Sequence, residues 1–192
     1  MRYLYLFFLK EFLRTKKGVG FGLLALLPPA SLLLMLLTSV DIGDEARFFS
    51  LFTISLQLNL LLPLMCVVSG AGIVRSEAEE GTLAYLFTRP LKRSTIVLSK
   101  LAAEATGAFS ILLAGLTATF LILNTGYSPF ENSGIMFFQG AGALAAGTAV
   151  YLPLFTLFGE LFKRPVVGGL FFTFGWEKII SAIPGNARYL TV

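Results

Sequence analysis

The side chains that could carry chemistry are few and bunched. Between Arg75 and Ser94 the chain reads R-S-E-A-E-E-G-T-L-A-Y-L-F-T-R-P-L-K-R-S. Glu77, Glu79 and Glu80 open this stretch, Leu83, Tyr85, Leu86 and Phe87 fill its middle, and Arg89, Lys92 and Arg93 close it. Carboxylates this close could serve acid–base or metal chemistry, but their usual partners are missing. The 192 residues contain no histidine, which removes the commonest metal ligand, the usual haem ligand and the usual general base. The one cysteine, Cys66, sits in an apolar band and has no second thiol to pair with. No G-x-x-x-x-G-K-S/T phosphate loop is present, so a nucleotide would have to bind another chain. What remains is recognition.

Ser76 and Glu79 have capping-box spacing, which predicts a helix starting here and covering about 77–88. Glutamates in its first turn would suit the helix dipole. Gly81 weakens the helix, and Arg89, preceding Pro90, is biased towards extended backbone. Two readings account for the segment. A loop resting on anionic headgroups explains Arg89, Lys92 and Arg93 but not three glutamates, which such lipids repel. A docking surface for a cytoplasmic protein explains both signs.

The elements that must position this segment are membrane helices. Hydrophobic residues make up 56% of the chain and charged ones 14%, with a mean hydropathy of +0.80. A soluble domain carries about 25% charged residues. A spanning helix needs ~20 mostly apolar residues, and spans are expected at about 18–40, 48–74, 95–123 and 134–159, with Ser94 as the N-cap of the third. A fifth, at about 161–183, has to accommodate Glu177 and Lys178 near its far end. The fold class is therefore all-α, a polytopic transmembrane bundle occupying 18–192. The net charge of +4 does not mark a nucleic-acid binder, because the charges form short blocks between apolar bands.

Those blocks set the orientation. Arg2, Lys10, Arg14, Lys16 and Lys17 precede the first span. Arg75, Arg89, Lys92, Arg93 and Lys100 lie around the second connection, and Lys163 and Arg164 follow the fourth span. Only Arg47, Lys178 and Arg188 fall on the other side. Basic residues stay in the cytoplasm, so the N-terminus and the Glu77–Arg93 connection are expected there.

Residues 1–17 read as an amphipathic helix lying on the lipid interface, with Lys10, Arg14 and Lys17 on one face. Pro28-Pro29, Pro63 and Pro153 are expected to break the hydrogen bonding of their helices, and such breaks survive only where neighbouring protein or water satisfies the freed carbonyls. Gln57 and Asn59 are expected to face protein instead of lipid. Gly140, Gly142, Ala143, Ala145, Ala146 and Gly147 permit close helix approach, either within the chain or to another subunit. Lys100 and Glu104 are spaced to pair. Glu177 and Lys178, after Trp176, are either an interfacial cap or part of an outward-facing vestibule.

The pattern E-E-G-T-L-x-Y-L-x-x-R-P-L-x-R-S-x-I-x-x-S-K over Glu79–Lys100 resembles the signature of type-2 ABC transporter permeases. The order of interfacial helix, spans and cytoplasmic segment is similar too. The resemblance implies a subunit of an exporter in a prokaryotic plasma (inner) membrane, paired with a second permease copy and with ATP-binding subunits that hold ATP and Mg²⁺. No cofactor is then bound by this chain, and membrane lipids are its other partners. Glu77, Glu79, Glu80, Gly81, Thr82, Arg89, Pro90 and Arg93 would form the contact of a coupling helix with the ATPase. Such permeases usually have six spans, so a sixth is expected beyond the chain as given. The competing readings are a non-transporting membrane anchor and, least favoured without histidine, a membrane enzyme.

Overall fold

Four helices are long and apolar enough to cross a bilayer: Lys16–Leu37, Ala46–Ile73, Ser94–Gly126 and Ser133–Leu161. We call them spans 1 to 4. They are seen in a computed structural model that describes residues 2–38, 45–79, 93–126, 132–162 and 164–176. A shorter apolar helix, Pro165–Gly175, follows them. No strand occurs among the described residues, and the expected all-helical membrane bundle is what forms.

Before span 1 lies α1, Arg2–Arg14. It ends where the Thr15 hydroxyl donates to Glu11 O at 2.7 Å. The chain then turns back so tightly that a Cβ on Gly18 would collide with the Phe12 carbonyl. Span 1 is two helices, α2 (Lys16–Ala25) and α3 (Leu27–Leu37), joined at Leu26. The joint follows from Pro28 and Pro29, which lack the N–H groups that Leu24 and Ala25 carbonyls would otherwise use.

Span 2 is interrupted differently. It runs from α4 (Glu45–Phe52) through a π-helical segment, Thr53–Leu61, into α5 (Leu62–Glu79). Leu62 N–H still reaches five residues back to Gln57 O. Pro63 follows immediately and has no N–H to offer. Span 3 is a single helix, α6 (Arg93–Gly126), of 34 residues. At 1.5 Å per residue it is about 51 Å long, well over the ~30 Å hydrocarbon core. Span 4, α7 (Ser133–Leu161), starts at Asn132 in the left-handed region (φ 59) and passes through Pro153 without a break. Pro153 removes one backbone donor there, and the helix continues because packed neighbours tolerate a proline inside a membrane helix. Phe162 is extended, and the chain restarts as α8 (Pro165–Leu170), with its proline in the first turn, and a π-helical segment Phe171–Trp176. The fifth helical segment thus begins at Pro165, not Leu161. Arg164, before the proline, is held out of helical geometry (φ −126, ψ 75).

Lipid is as apolar as leucine, so membrane helices associate through close packing and not through hydrophobic transfer. Glycines supply that closeness between spans 2 and 4. A Cβ at Gly70 would lie 3.0 Å from Leu152 O and from Phe155 Cβ, and one at Gly159 would lie 3.2 Å from Ala71 O. Gly147 admits Leu62, Gly140 admits Thr53, and Gly169 of α8 admits Val67. Span 3 completes the core with Leu112, Leu116 and Leu123, all fully buried beside Met65, Cys66 and Leu152.

Candidate coupling interface

The segment singled out by the sequence hangs between the ends of two long helices. α5 delivers the chain at Glu79 and α6 takes it up at Arg93. Glu80, Gly81, Thr82, Arg89 and Pro90 lie outside the described residues, as do Glu177 and Lys178. Of Glu77, Glu79 and Arg93 only the helical backbone is described.

Two local expectations are corrected at these helix ends. No new helix starts at Ser76, because α5 continues through to Glu79. Glu77 and Glu79 therefore lie in the last turn of a helix, where the dipole disfavours carboxylates. Serine and glutamate at capping-box spacing cap only if the serine leaves helical geometry, and here it does not. Likewise Ser94 lies inside α6, which already begins at Arg93.

The first half of α6 is braced by α1. Tyr5 Oη and Thr106 Oγ1 are 2.9 Å apart. The Phe12 ring fills the notch at Gly107, where a Cβ would come within 2.8 Å of Phe12 Cε1. Phe12 also packs on Phe21 of span 1, ring centroids 6.2 Å apart. Lys100 Nζ sits 5.9 Å from the centre of the Phe8 ring. This contact was not legible in the sequence. The helical face of Lys10 and Arg14 was visible, but the apolar remainder is divided. Phe12 is turned inward, whereas Tyr3 (90% exposed), Leu6 and Phe7 point out.

Charges gather where α1, span 1 and span 3 meet. Glu104 has Lys100, Lys17 and Glu11 as its electrostatic neighbours. Its Oε2 is buried and accepts no hydrogen bond. Lys17 extends to span 2, its Nζ 3.0 Å from where a Cβ of Gly72 would stand. The Lys100–Glu104 pair expected from spacing is thus embedded in a wider cluster that ties α1 to three spans.

Deeper in the bundle, most described hydroxyls satisfy themselves. Thr119 donates to Gly115 O, Thr148 to Leu144 O and Thr156 to Leu152 O, at 2.6–2.9 Å. This back-bonding to the preceding turn hides the hydroxyl from the apolar surroundings. Gln57 is buried as expected, with Oε1 unpartnered. Its Nε2 and the Ala25 carbonyl left without a donor by Pro29 converge on Gly115, 3.4 Å and 2.7 Å from where a Cβ would be. Asn59, by contrast, faces outward, and the expectation that it turns towards protein fails within this single chain. Residues two apart on a helix point roughly 200° from each other, so the turn that buries Gln57 carries Asn59 to the other side.

Four apolar helices of spanning length, packed through glycines around a dry core, define a multi-pass membrane protein. The family described as ABC-2 family transporter protein matches residues 8–175. The chain belongs to this family, as a permease-type membrane component of an ABC transporter. It is also similar to the uncharacterized membrane protein YdbK of Bacillus subtilis (strain 168), with 26% identity over 132 residues. That match covers 69% of this chain and 49% of YdbK, so the chain spans about half the length of the curated relative it matches. No solved structure matches.

Proposed function

We propose that this chain is the transmembrane permease subunit of an ATP-driven exporter. A separate ATP-binding subunit docks on the connection between spans 2 and 3 and drives it. The contact is assigned to Glu77, Glu79, Glu80, Gly81, Thr82, Arg89, Pro90 and Arg93. ATP and its Mg²⁺ belong to the partner subunit. The N-terminus and this connection face the cytoplasm of a prokaryote, and Glu177 and Lys178 border the outer vestibule.

The observation that supports this reading is mechanical. The connection joins the end of span 2 to the start of span 3, α5 at Glu79 and α6 at Arg93. A push on it is delivered directly to two spans, and α1 holds the first half of one of them through Tyr5, Phe12 and Thr106. Glutamates at the start of the connection and arginines at its end offer a partner two charge signs.

The test is co-purification with the ATP-binding subunit in detergent. The wild-type chain should retain the ATPase and alter its hydrolysis rate, and the Glu80→Ala plus Arg89→Ala double variant should lose most of that retention. Charge-assisted hydrogen bonds at a contact are worth about 1.5–3 kcal/mol each, a more than tenfold weakening for one lost. If the double variant held its ATPase as well as wild type, the docking assignment would be wrong.

A further inference from the structure

The N-terminal helix α1 turns three kinds of face in three directions. Tyr5 and Phe12 stand two turns apart on α1, yet they meet adjacent residues of span 3, Thr106 and Gly107. Helices running side by side would meet at evenly spaced residues, so α1 lies across span 3. Its depth follows from α6. Counted back from Gly126, about 20 residues at 1.5 Å each cover the ~30 Å hydrocarbon core and end at Thr106. α1 therefore crosses where acyl chains give way to headgroups.

Successive residues of a helix are turned by about 100°, and this sorts the side chains of α1. Tyr5, Phe8 and Phe12 form the stripe that meets span 3. Leu6 and Leu13, both about half exposed, lie roughly a third of a turn round from it and suit the hydrocarbon. Tyr3, Phe7, Lys10 and Arg14 share the stripe beyond, and all four are exposed. With the leucines in the hydrocarbon, that stripe is roughly a further quarter-turn away. It looks sideways, away from span 3, into the headgroup layer.

The sideways stripe is suited to an anion. Lys10 and Arg14 stand one turn apart, and neither forms an ion pair among the described residues. With Phe7, Glu11 and Thr15 they border a hollow of about 400 Å³. Glu11 supplies one negative charge and also acts on Glu104 in the charged cluster at span 3, so the hollow keeps a net positive charge. A guanidinium can take two phosphate oxygens at once, and the Lys10 ammonium can take a third.

The chemistry favours one occupant. A choline headgroup would bring its own cation against Lys10 and Arg14. Inorganic phosphate would gain the same charged contacts but nothing from the exposed rings of Tyr3 and Phe7. An anionic phospholipid offers a phosphate at this depth without a neighbouring cation, together with glycerol and acyl carbons for the two rings.

We propose that the Tyr3–Phe7–Lys10–Arg14 stripe binds the phosphate of an anionic phospholipid, and that this lipid anchors the brace α1 makes on span 3. The site uses no residue of the coupling contact and needs no ATPase, so it goes beyond the permease reading and does not depend on it.

A lipid titration of the full chain in neutral detergent tests it. The thermal midpoint is followed against phosphatidylglycerol, with phosphatidylcholine and inorganic phosphate in parallel. The expected result is a saturable rise with phosphatidylglycerol alone. A basic residue at an anionic surface is worth about fivefold in affinity, so the Lys10→Gln plus Arg14→Gln variant should need more than tenfold more of this lipid for half its effect. Lys16→Gln, which removes an exposed cation beyond α1, should titrate like wild type. Should the double variant be less stable before any lipid is added, counting the phosphatidylglycerol molecules it retains by native mass spectrometry reads the same loss. Retention or titration equal to wild type would overturn the proposal. So would an equal loss in Lys16→Gln, which would mark diffuse attraction by net charge. An equal rise with phosphatidylcholine would reduce the effect to apolar packing, and one with inorganic phosphate would assign the stripe to a free anion; either overturns the lipid site. An ATPase that fails to co-purify would sink the docking assignment and leave this site standing.

Discussion

The outward sides of span 1 and of spans 2 and 4 carry opposite chemistry among the described residues. The outward side of span 1 is a field of leucines: Leu23, Leu26, Leu27, Leu33, Leu34 and Leu37 are all about half exposed or more. Its one exposed small residue is Ala30, and it presents no amide. Flexible branched side chains without polar atoms are what fluid acyl chains solvate at no cost. Spans 2 and 4 replace them with glycine, alanine, the amides of Asn59 and Gln139, and recesses. Exposure alone therefore says little in a membrane protein. Which side chains are exposed separates a surface that meets lipid from one that suits a helix.

This contrast can be broken in three graded ways. The largest effect is expected from Leu27→Asp, near the centre of span 1. A charge there should raise the apparent free energy of insertion by about 3 kcal/mol. A glycosylation-reporter insertion assay reads this as a drop in the membrane-inserted fraction, and normal insertion would mean that the leucine face does not meet lipid. Next comes Gly70→Val, which forces bulk against Leu152 O and Phe155. Overpacking of this kind costs about 1–3 kcal/mol, seen as a lower thermal midpoint in detergent. The matched Gly142→Val, in open space, should stay within about 0.5 kcal/mol of wild type, and equal losses at both sites would erase the distinction between inward and outward glycines. The smallest effect is expected from Asn59→Leu. Interhelical hydrogen bonds in membranes average about 0.6 kcal/mol, so the dimerisation constant in bilayers should fall roughly threefold while the monomer unfolds as before. If Leu34→Ala lowered that constant as much, span 1 would share the contact.

Much of this architecture was legible because membranes simplify sequence reading. A run of ~20 apolar residues has few alternatives, and the stretches around Leu23, Met65, Leu116 and Leu144 announced themselves. The docking of α1 was not legible, since Phe12 and Phe7 look equivalent as letters and only the Gly107 notch distinguishes them. The π-helical turn at Thr53–Leu61 was also hidden. Within it Asn59 faces outward while Gln57 stays buried, an opposition that residues two apart show in an α-helix as well, turned by roughly 200°. At Ser76–Glu79 a local pattern competed with the continuation of a helix already under way, and cooperativity favoured continuation. The segment with the densest functional signal, Glu80 to Pro90, was read from residue types and resemblance alone, and the co-purification experiment addresses what letters cannot.

The length of span 3 has a consequence for how force would spread. Span 1 has a joint at Leu26 and span 2 has one in its wide-turned segment, whereas α6 runs for 34 residues with neither proline nor π-helical turn. A beam without joints, held within its first half where Tyr5 and Phe12 meet Thr106 and Gly107, transmits a tilt instead of absorbing it. Its neighbours, being jointed, are the parts that yield. A displacement entering at Arg93 would therefore emerge as bending at the joints of spans 1 and 2, beside which Ala25 O and Gln57 Nε2 converge on Gly115 of α6. The glycine that lets three helices meet would be the fulcrum.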